Sequence, residues 1–175
     1  MVGKIEVTKL DLIQWQEYRE IRLDALKSEP QAFLSTYDRE VGWLDEKWIS
    51  RLKETFSKGS WLLFAKGRLG LVGMIGGYRD SKDLENHTAQ IWGVFVKSQE
   101  RGKGIAKALM GAILKEFESE PDIETVILEV NTDQKSAQKL YETFDFIVTK
   151  TYRQKLGDGL EHTISEMRRL LKAKA

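Results

Sequence analysis

The sequence predicts one mixed α/β domain, in which a largely antiparallel sheet of about seven strands contains a single central βαβ unit and carries about four helices. Three observations predict it. The 175 residues are 41% apolar, enough for one filled core, and no Pro/Gly/Ser-rich linker or low-complexity run divides residues 1–175. β-Branched and aromatic runs come in adjacent pairs early and late in the chain, as hairpins do. Between those pairs a strand, a glycine turn and an amphipathic helix lead to a second apolar strand, which reads as a parallel crossover.

The elements follow in order. Lys4 to Leu10 alternates Ile5, Val7 and Thr8 with charges and reads as a first strand. Asp11 is placed to cap a helix whose Trp15, Tyr18, Ile21 and Ala25 share a face until Pro30 stops the run. A second helix is expected over Asp38 to Phe56, with Val41, Leu44, Trp48, Ile49 and Leu52 as its apolar side. Trp61 to Ala65 and Leu69 to Tyr78 are strands joined at Lys66-Gly67-Arg68. A strand over Thr88 to Val96 ends at a glycine turn, and Ile105, Leu109, Ile113 and Phe117 mark the core face of the helix from Gly102 to Glu118. After Pro121, Thr125 to Val130 gives an apolar strand parallel to its predecessor. Asp133 is placed to cap a helix carrying Ala137, Leu140, Tyr141 and Phe144, and strands over Ile147 to Leu156 and His162 to Leu171 finish the chain.

Composition removes several function classes. With 28 basic and 27 acidic residues the net charge is +1, so no global field recruits nucleic acid or an anionic membrane. There is no cysteine, hence no thiol nucleophile or thiolate metal site, and His87 and His162 stand far apart, so no metal is expected. The longest largely apolar run, Leu69 to Tyr78, holds four glycines and is too short to cross a bilayer. No basic-plus-apolar segment opens the sequence, and the expected location is the cytoplasm.

Four features carry chemistry. In Gln99-Glu100-Arg101-Gly102-Lys103-Gly104-Ile105-Ala106 the two glycines let consecutive backbone N–H groups point at an anion at a helix start, with Arg101, Lys103 and Lys107 adding positive charge. Taken alone, the turn reads equally as a plain helix start with glycines for packing. A dinucleotide fingerprint would follow the first strand, and a triphosphate loop would end Gly-Lys-Ser/Thr; neither fits, which leaves a diphosphate without metal. Gly93, inside a bulky strand, marks a bulge that frees backbone groups of Val94 and Val96, or else a packing position. Glu129 lies on the opposite face from Leu128 and Val130 and suits proton abstraction, or is an ordinary solvent-facing residue. Tyr141 faces the core, as packing tyrosines do, but its helix begins at the strand edge where ligands gather in open α/β sheets.

These residues resemble the GNAT superfamily of N-acetyltransferases. Its Gln/Arg-x-x-Gly-x-Gly/Ala turn matches Gln99 to Gly104, and its Asn-x-x-Ala-x-x-Leu-Tyr helix matches Gln134 to Tyr141. The resemblance implies a GNAT-like acyl-CoA N-acyltransferase fold and acetyl-CoA as co-substrate. Backbone groups of Val94, Phe95 and Val96 would take the pantetheine arm, and the turn formed by Arg101, Gly102, Lys103, Gly104, Ile105 and Ala106 the pyrophosphate, with Asn131 and Gln134 nearby. Tyr141 would protonate the departing thiolate. Glu129, twelve residues before it, matches the general base of ribosomal-protein alanine acetyltransferases. Two positions depart from the pattern: Gln134 replaces asparagine, and Asp145 replaces glycine before Phe146 at a left-handed helix end.

The implied function is transfer of an acetyl group to a primary amine by direct attack, with no covalent enzyme intermediate. A second class is a CoA-binding regulatory module without catalysis, suggested by Gln134 and by Thr88 and Gln90 where other members carry a base. The acceptor is open between small amine, antibiotic, polyamine, amino acid and protein amino group. Tyr37, Glu40 and Tyr78, with Trp43 and Tyr152, are the expected lining of its site, and Asp38 and Glu40 read equally as attractants for a cationic amine or as a solvated helix face. A strand edge at the C-terminal hairpin would suit a homodimer.

Overall fold

In the computed structural model the described residues are 5–79 and 87–171. Lys4, the expected start of the first strand, lies outside them. The strands β1 (Glu6–Thr8), β2 (Ser60–Gly67), β3 (Gly70–Arg79), β4 (Thr88–Val96), β5 (Thr125–Asn131), β6 (Ile147–Lys155) and β7 (Glu161–Leu170) form one sheet in the order β1-β2-β3-β4-β5-β7-β6. Every neighbouring pair is antiparallel except β4 and β5, which the crossover makes parallel. The helices are α1 (Trp15–Ser28), α2 (Tyr37–Val41), α3 (Asp45–Glu54), α4 (Ile105–Ser119) and α5 (Lys135–Glu142).

The sheet is the middle of three layers. In β2, Trp61, Leu63 and Ala65 point toward α4, whereas Leu62 and Phe64 point toward α1 and α3. This alternation is the two-residue period of a strand buried on both faces. Leu109, Ile113 and Phe117 of α4 are fully buried on one side. Tyr18, Ile21 and Ala25 of α1 pack with Trp48 and Leu52 of α3 on the other. Each such large side chain contributes about 1.5–3 kcal/mol on burial.

Two expectations change. The single helix expected from Asp38 to Phe56 is two, because the chain turns at Gly42 and Leu44 takes an extended conformation (ψ 159°) ahead of α3. Leu44 is consequently exposed rather than part of the apolar side. Asp11 does not begin α1 directly: its backbone N–H donates to Gln14 Oε1 (3.1 Å) across a short 3-10 turn, Leu12–Gln14, that leads into the helix.

The feature that creates a site is the separation of β4 from β5. Their parallel register runs from Thr88 opposite Thr125 to Gln90 opposite Ile127 and then ends. Beyond it, Ile91 to Val96 presents a strand edge with no partner on β5. Gly93 has φ +65°, a conformation open to glycine, and the β3–β4 register shifts between Met74 and Gly76 at the same level. Only Met74 Cε, at 3.9 Å, comes near the position a Gly93 side chain would take, so the glycine serves the bulge and not close packing. Gly76, by contrast, lacks a side chain where the Trp92 indole lies across β3.

Candidate active site

The glycine turn lies at the N-terminus of α4. Gly102 (φ +76°) and Gly104 (φ +80°) both adopt left-handed backbone conformations, and the first helical bond runs from the Ala108 N–H to the Gly104 carbonyl at 3.0 Å. The amides ahead of Ala108 therefore stand at the open end of the helix, where partial positive charge collects. The basic side chains around the turn differ in their commitments. Arg101 donates through Nε to the Val96 carbonyl (3.1 Å) and pairs with Glu29, which ties the turn to the end of β4. Lys103 pairs with Glu100 at 2.8 Å and lies outside the cavity lining. Lys107, in the first turn of α4, lines the cavity.

A cleft of about 610 Å³ starts at this turn and follows the parted strands. Val94, Phe95 and Val96 form one wall; Arg101, Gly102, Gly104, Ile105 and Ala106 close the end; Gln134 and Tyr141 belong to the opposite wall. Gln134 immediately precedes α5, and Tyr141 is buried on the core face of that helix, edge-on to Phe146 with ring centroids 6.3 Å apart. Burial pushes the Tyr141 phenol above its ordinary value of 10.0, so it keeps its proton across the neutral range.

A second basin of about 450 Å³ opens on the other side of β4 and β5. Ile91, Trp92, Gly93, Leu128, Glu129 and Val130 line both cavities, so the Gly93 bulge and Glu129 mark the junction. Glu129 is exposed between the buried Leu128 and Val130, as alternation requires. The Tyr152 hydroxyl donates to it; burial first, then that bond and the Glu129 and Glu166 charges, raise the Tyr152 phenol. Glu166 stands directly opposite Glu129 on β7, and the Arg168 hydrogen bond holds its carboxyl below the usual range against its partial burial.

The remaining expected residues take distinct places. Asn131 lines the second basin and not the cleft: its Nδ2 donates to the Gln31 carbonyl (3.2 Å) and meets His162 Nδ1 (3.0 Å), while Oδ1 accepts from the Asp133 N–H (3.0 Å). Tyr78 lines the basin, its hydroxyl bonded to Gln90. Trp43 lines it too, whereas Tyr37 lines neither cavity and has Lys27 Nζ over its ring at 5.7 Å. Glu40 lines the basin from a buried position, with Arg22 Nε and Nη2 donating to its two oxygens at 2.9 and 2.8 Å. Burial pushes this carboxyl up, but the Arg22 bonds and charge, with help from Ser35 and Arg51, outweigh it and hold it below the ordinary range. Glu40 is thus neutralised, and Asp38 is exposed outside both cavities, so neither attracts a cationic amine.

Three charged basin residues are absent from the sequence reading: Arg22, Arg39 and Arg51. A signal existed for Arg22, which lies beside Tyr18, Ile21 and Ala25 on the buried side of α1, where a charge requires a partner. Arg39 and Arg51 follow no pattern visible in one dimension.

The model of the acetyltransferase (GNAT) family matches residues 15–146, from the start of α1 to the residue before β6. The chain belongs to this family. Human N-acetyltransferase 8 is 36% identical over 90 residues, 51% of this chain and 39% of that protein. A mouse relative, probable N-acetyltransferase family 8 member 5, is 37% identical over 98 residues, 55% of this chain and 42% of its own length. The chain thus spans about two fifths of the length of these relatives. A GNAT-family acetyltransferase from Streptococcus pneumoniae has the same fold, with a TM-score of 0.84 at 14% identity over 97% of this chain and 100% of that one. The GNAT fold expected from the sequence is the fold observed. Among the described residues no helix is long and apolar enough to cross a membrane.

Proposed function

We propose that this chain is an acetyl-CoA-dependent N-acetyltransferase that delivers the acetyl group directly to a primary amine. The observation that carries this reading is the pair of cavities meeting at one place, with Glu129 and the Gly93 bulge shared and Tyr141 on the donor side alone. The cleft fits an extended acyl-CoA: it has a left-handed glycine turn at the open start of α4, a strand edge unpaired by β5, and the protonated Tyr141 phenol in its lining. The GNAT-fold protein from Salmonella typhimurium that was solved with acetyl-CoA has a TM-score of 0.79 at 15% identity, over 99% of this chain and 97% of that one.

Each residue has a task in that chemistry. The amides of Ile105 and Ala106, with Lys107, hold the pyrophosphate, and backbone groups of Val94 to Val96 pair with the amide-bearing arm. Arg101 acts through the geometry of the turn rather than as a free phosphate ligand. Gln134 contacts the co-substrate beside α5, while Asn131 braces the β5 end against His162. Glu129 accepts the proton that an ammonium must lose before its lone pair can attack the thioester carbonyl. Backbone N–H groups at the bulge meet the carbonyl oxygen as it gains charge. As the new C–N bond forms and the C–S bond breaks, Tyr141 protonates the departing sulfur.

Calorimetric titration with acetyl-CoA, followed by release of free CoA thiol with a panel of amines, tests the reading. Saturable binding and amine-dependent release are expected. No binding at millimolar acetyl-CoA sinks it. Binding without turnover for any amine would favour the second reading, a CoA-binding module, to which Gln134 and the absence of a carboxylate on β4 also point.

A further inference from the structure

The acceptor basin is lined by charges of both signs. Glu129 stands at the junction with the donor cleft, and α1, α2 and α3 bring Arg22, Arg39 and Arg51 to the wall of the same basin. Glu40 is the carboxylate at that wall, and both its oxygens are engaged by Arg22. That leaves Arg39 and Arg51, and among the described residues neither has a carboxylate oxygen within the 4.0 Å of an ion pair. Arg39 is on the exposed lip; Arg51 is half-buried.

Arg51 is held in place: the Tyr18 hydroxyl accepts from it, and its charge reaches Glu40 without an ion-pair contact. Its guanidinium lies over the Trp43 ring at 5.1 Å, and its charge reaches the buried Tyr18 phenol, opposing the rise that burial causes there. An immobilised, half-buried guanidinium is a preformed fork for a planar anion. Three arginines stand beside the one buried carboxylate, Glu40, whose two oxygens are already taken by Arg22, so the wall keeps an excess of positive charge that a ligand can meet.

We infer that the acceptor is a small primary amine that also carries a carboxylate: Arg51, assisted by Arg39, holds the carboxylate while the amino group is turned toward Glu129 and the donor cleft. This rests on the acetyltransferase reading above and narrows it. The same charges select against polyamines, whose second cation would meet Arg39 and Arg51. A basin of about 450 Å³ is also of small-molecule size.

The test uses matched pairs at saturating acetyl-CoA: α- and ω-amino acids, the carboxamide of each, spermidine, and short peptides with amidated C-termini. Thiol release is expected to favour each free carboxylate over its carboxamide by at least about 30-fold in kcat/KM. Arg51→Gln is expected to lower that ratio by about tenfold with acetyl-CoA affinity retained, and Arg51→Lys to restore part of it because charge returns without the fork. Arg39→Gln, at an exposed position where folding is not at stake, lowers the ratio in the same direction. The inference is overturned if carboxamides, spermidine or amidated peptides turn over as well as the carboxylates, or if no carboxylate turns over while acetyl-CoA binds. It is also overturned if Arg51→Gln and Arg39→Gln leave the ratio unchanged. Failure to bind acetyl-CoA is a different result, and removes the transferase reading itself.

Discussion

The donor cleft and the acceptor basin share a wall but are built from different materials. The cleft is made of backbone: a bulged strand edge, two left-handed glycines and the open end of α4. The basin is made of side chains from α1 to α3 and from β3 to β7, with a buried ion pair and two further arginines in its wall. Backbone recognition requires only that a short segment fold locally. Side-chain recognition depends on which distant residues the fold brings together, and can change without disturbing the cleft.

The comparison predicts that each region can be damaged separately. The largest effect is expected at Arg22→Ala, which strands Glu40 in the interior and should cost about 3–5 kcal/mol in urea unfolding. Acetyl-CoA affinity should survive at temperatures where the variant remains folded; a parallel loss would mean that the two regions are not independent. The same pair sets a pH dependence. The Glu40 carboxyl in the folded protein is held below its ordinary 4.5, so its contribution is complete above that pH and is lost as pH falls through the lower folded value. Unfolding titrated below pH 5 should show this loss in the parent and not in Glu40→Gln, which begins from a less stable state.

Tyr141→Phe separates binding from chemistry within the cleft. Thiol release should fall by about 100-fold with acetyl-CoA affinity little changed. Gly104→Ala acts the other way: the nearest atom to the added carbon is Ile5 Cδ1 at 3.9 Å, so the cost is backbone strain at φ +80° and not a clash. That strain is about 1–2 kcal/mol. Calorimetry should show acetyl-CoA binding weakened by about tenfold. The smallest effect belongs to Asp145, which holds φ +62° after α5. Asp145→Gly should raise stability by about 0.5–1 kcal/mol in thermal melts and leave both cavities as they are.

Legibility followed the same division. Gly93, Gly102, Gly104, Glu129 and Tyr141 could be singled out because each acts through its immediate neighbours: a turn, a bulge, an alternating strand or a helix face. The strand limits at Thr88–Val96 and the parallel pairing of β4 with β5 came from local pattern as well. The break at Gly42 was missed because the apolar spacing on its two sides imitates one continuous helix. Glu40 and Asp38 invited a reading as attractants for a cation because charge in a sequence carries no record of its partner. Eighteen residues separate Arg22 from Glu40, and their bidentate bond reverses the electrical sense of that wall.

By itself the sequence determined the sheet-and-helix order, the left-handed glycine turn ahead of α4 and the core-facing place of Tyr141, since periodicity, glycine φ freedom and helix polarity are properties of contiguous residues. The tertiary structure alone decided that Glu129 stands where two cavities meet, that Arg22 pairs with Glu40, and that Arg39 and Arg51 line the same basin with no ion-pair partner among the described residues. Burial and ion pairing depend on distances between segments far apart in the chain, and those distances exist only once it has folded.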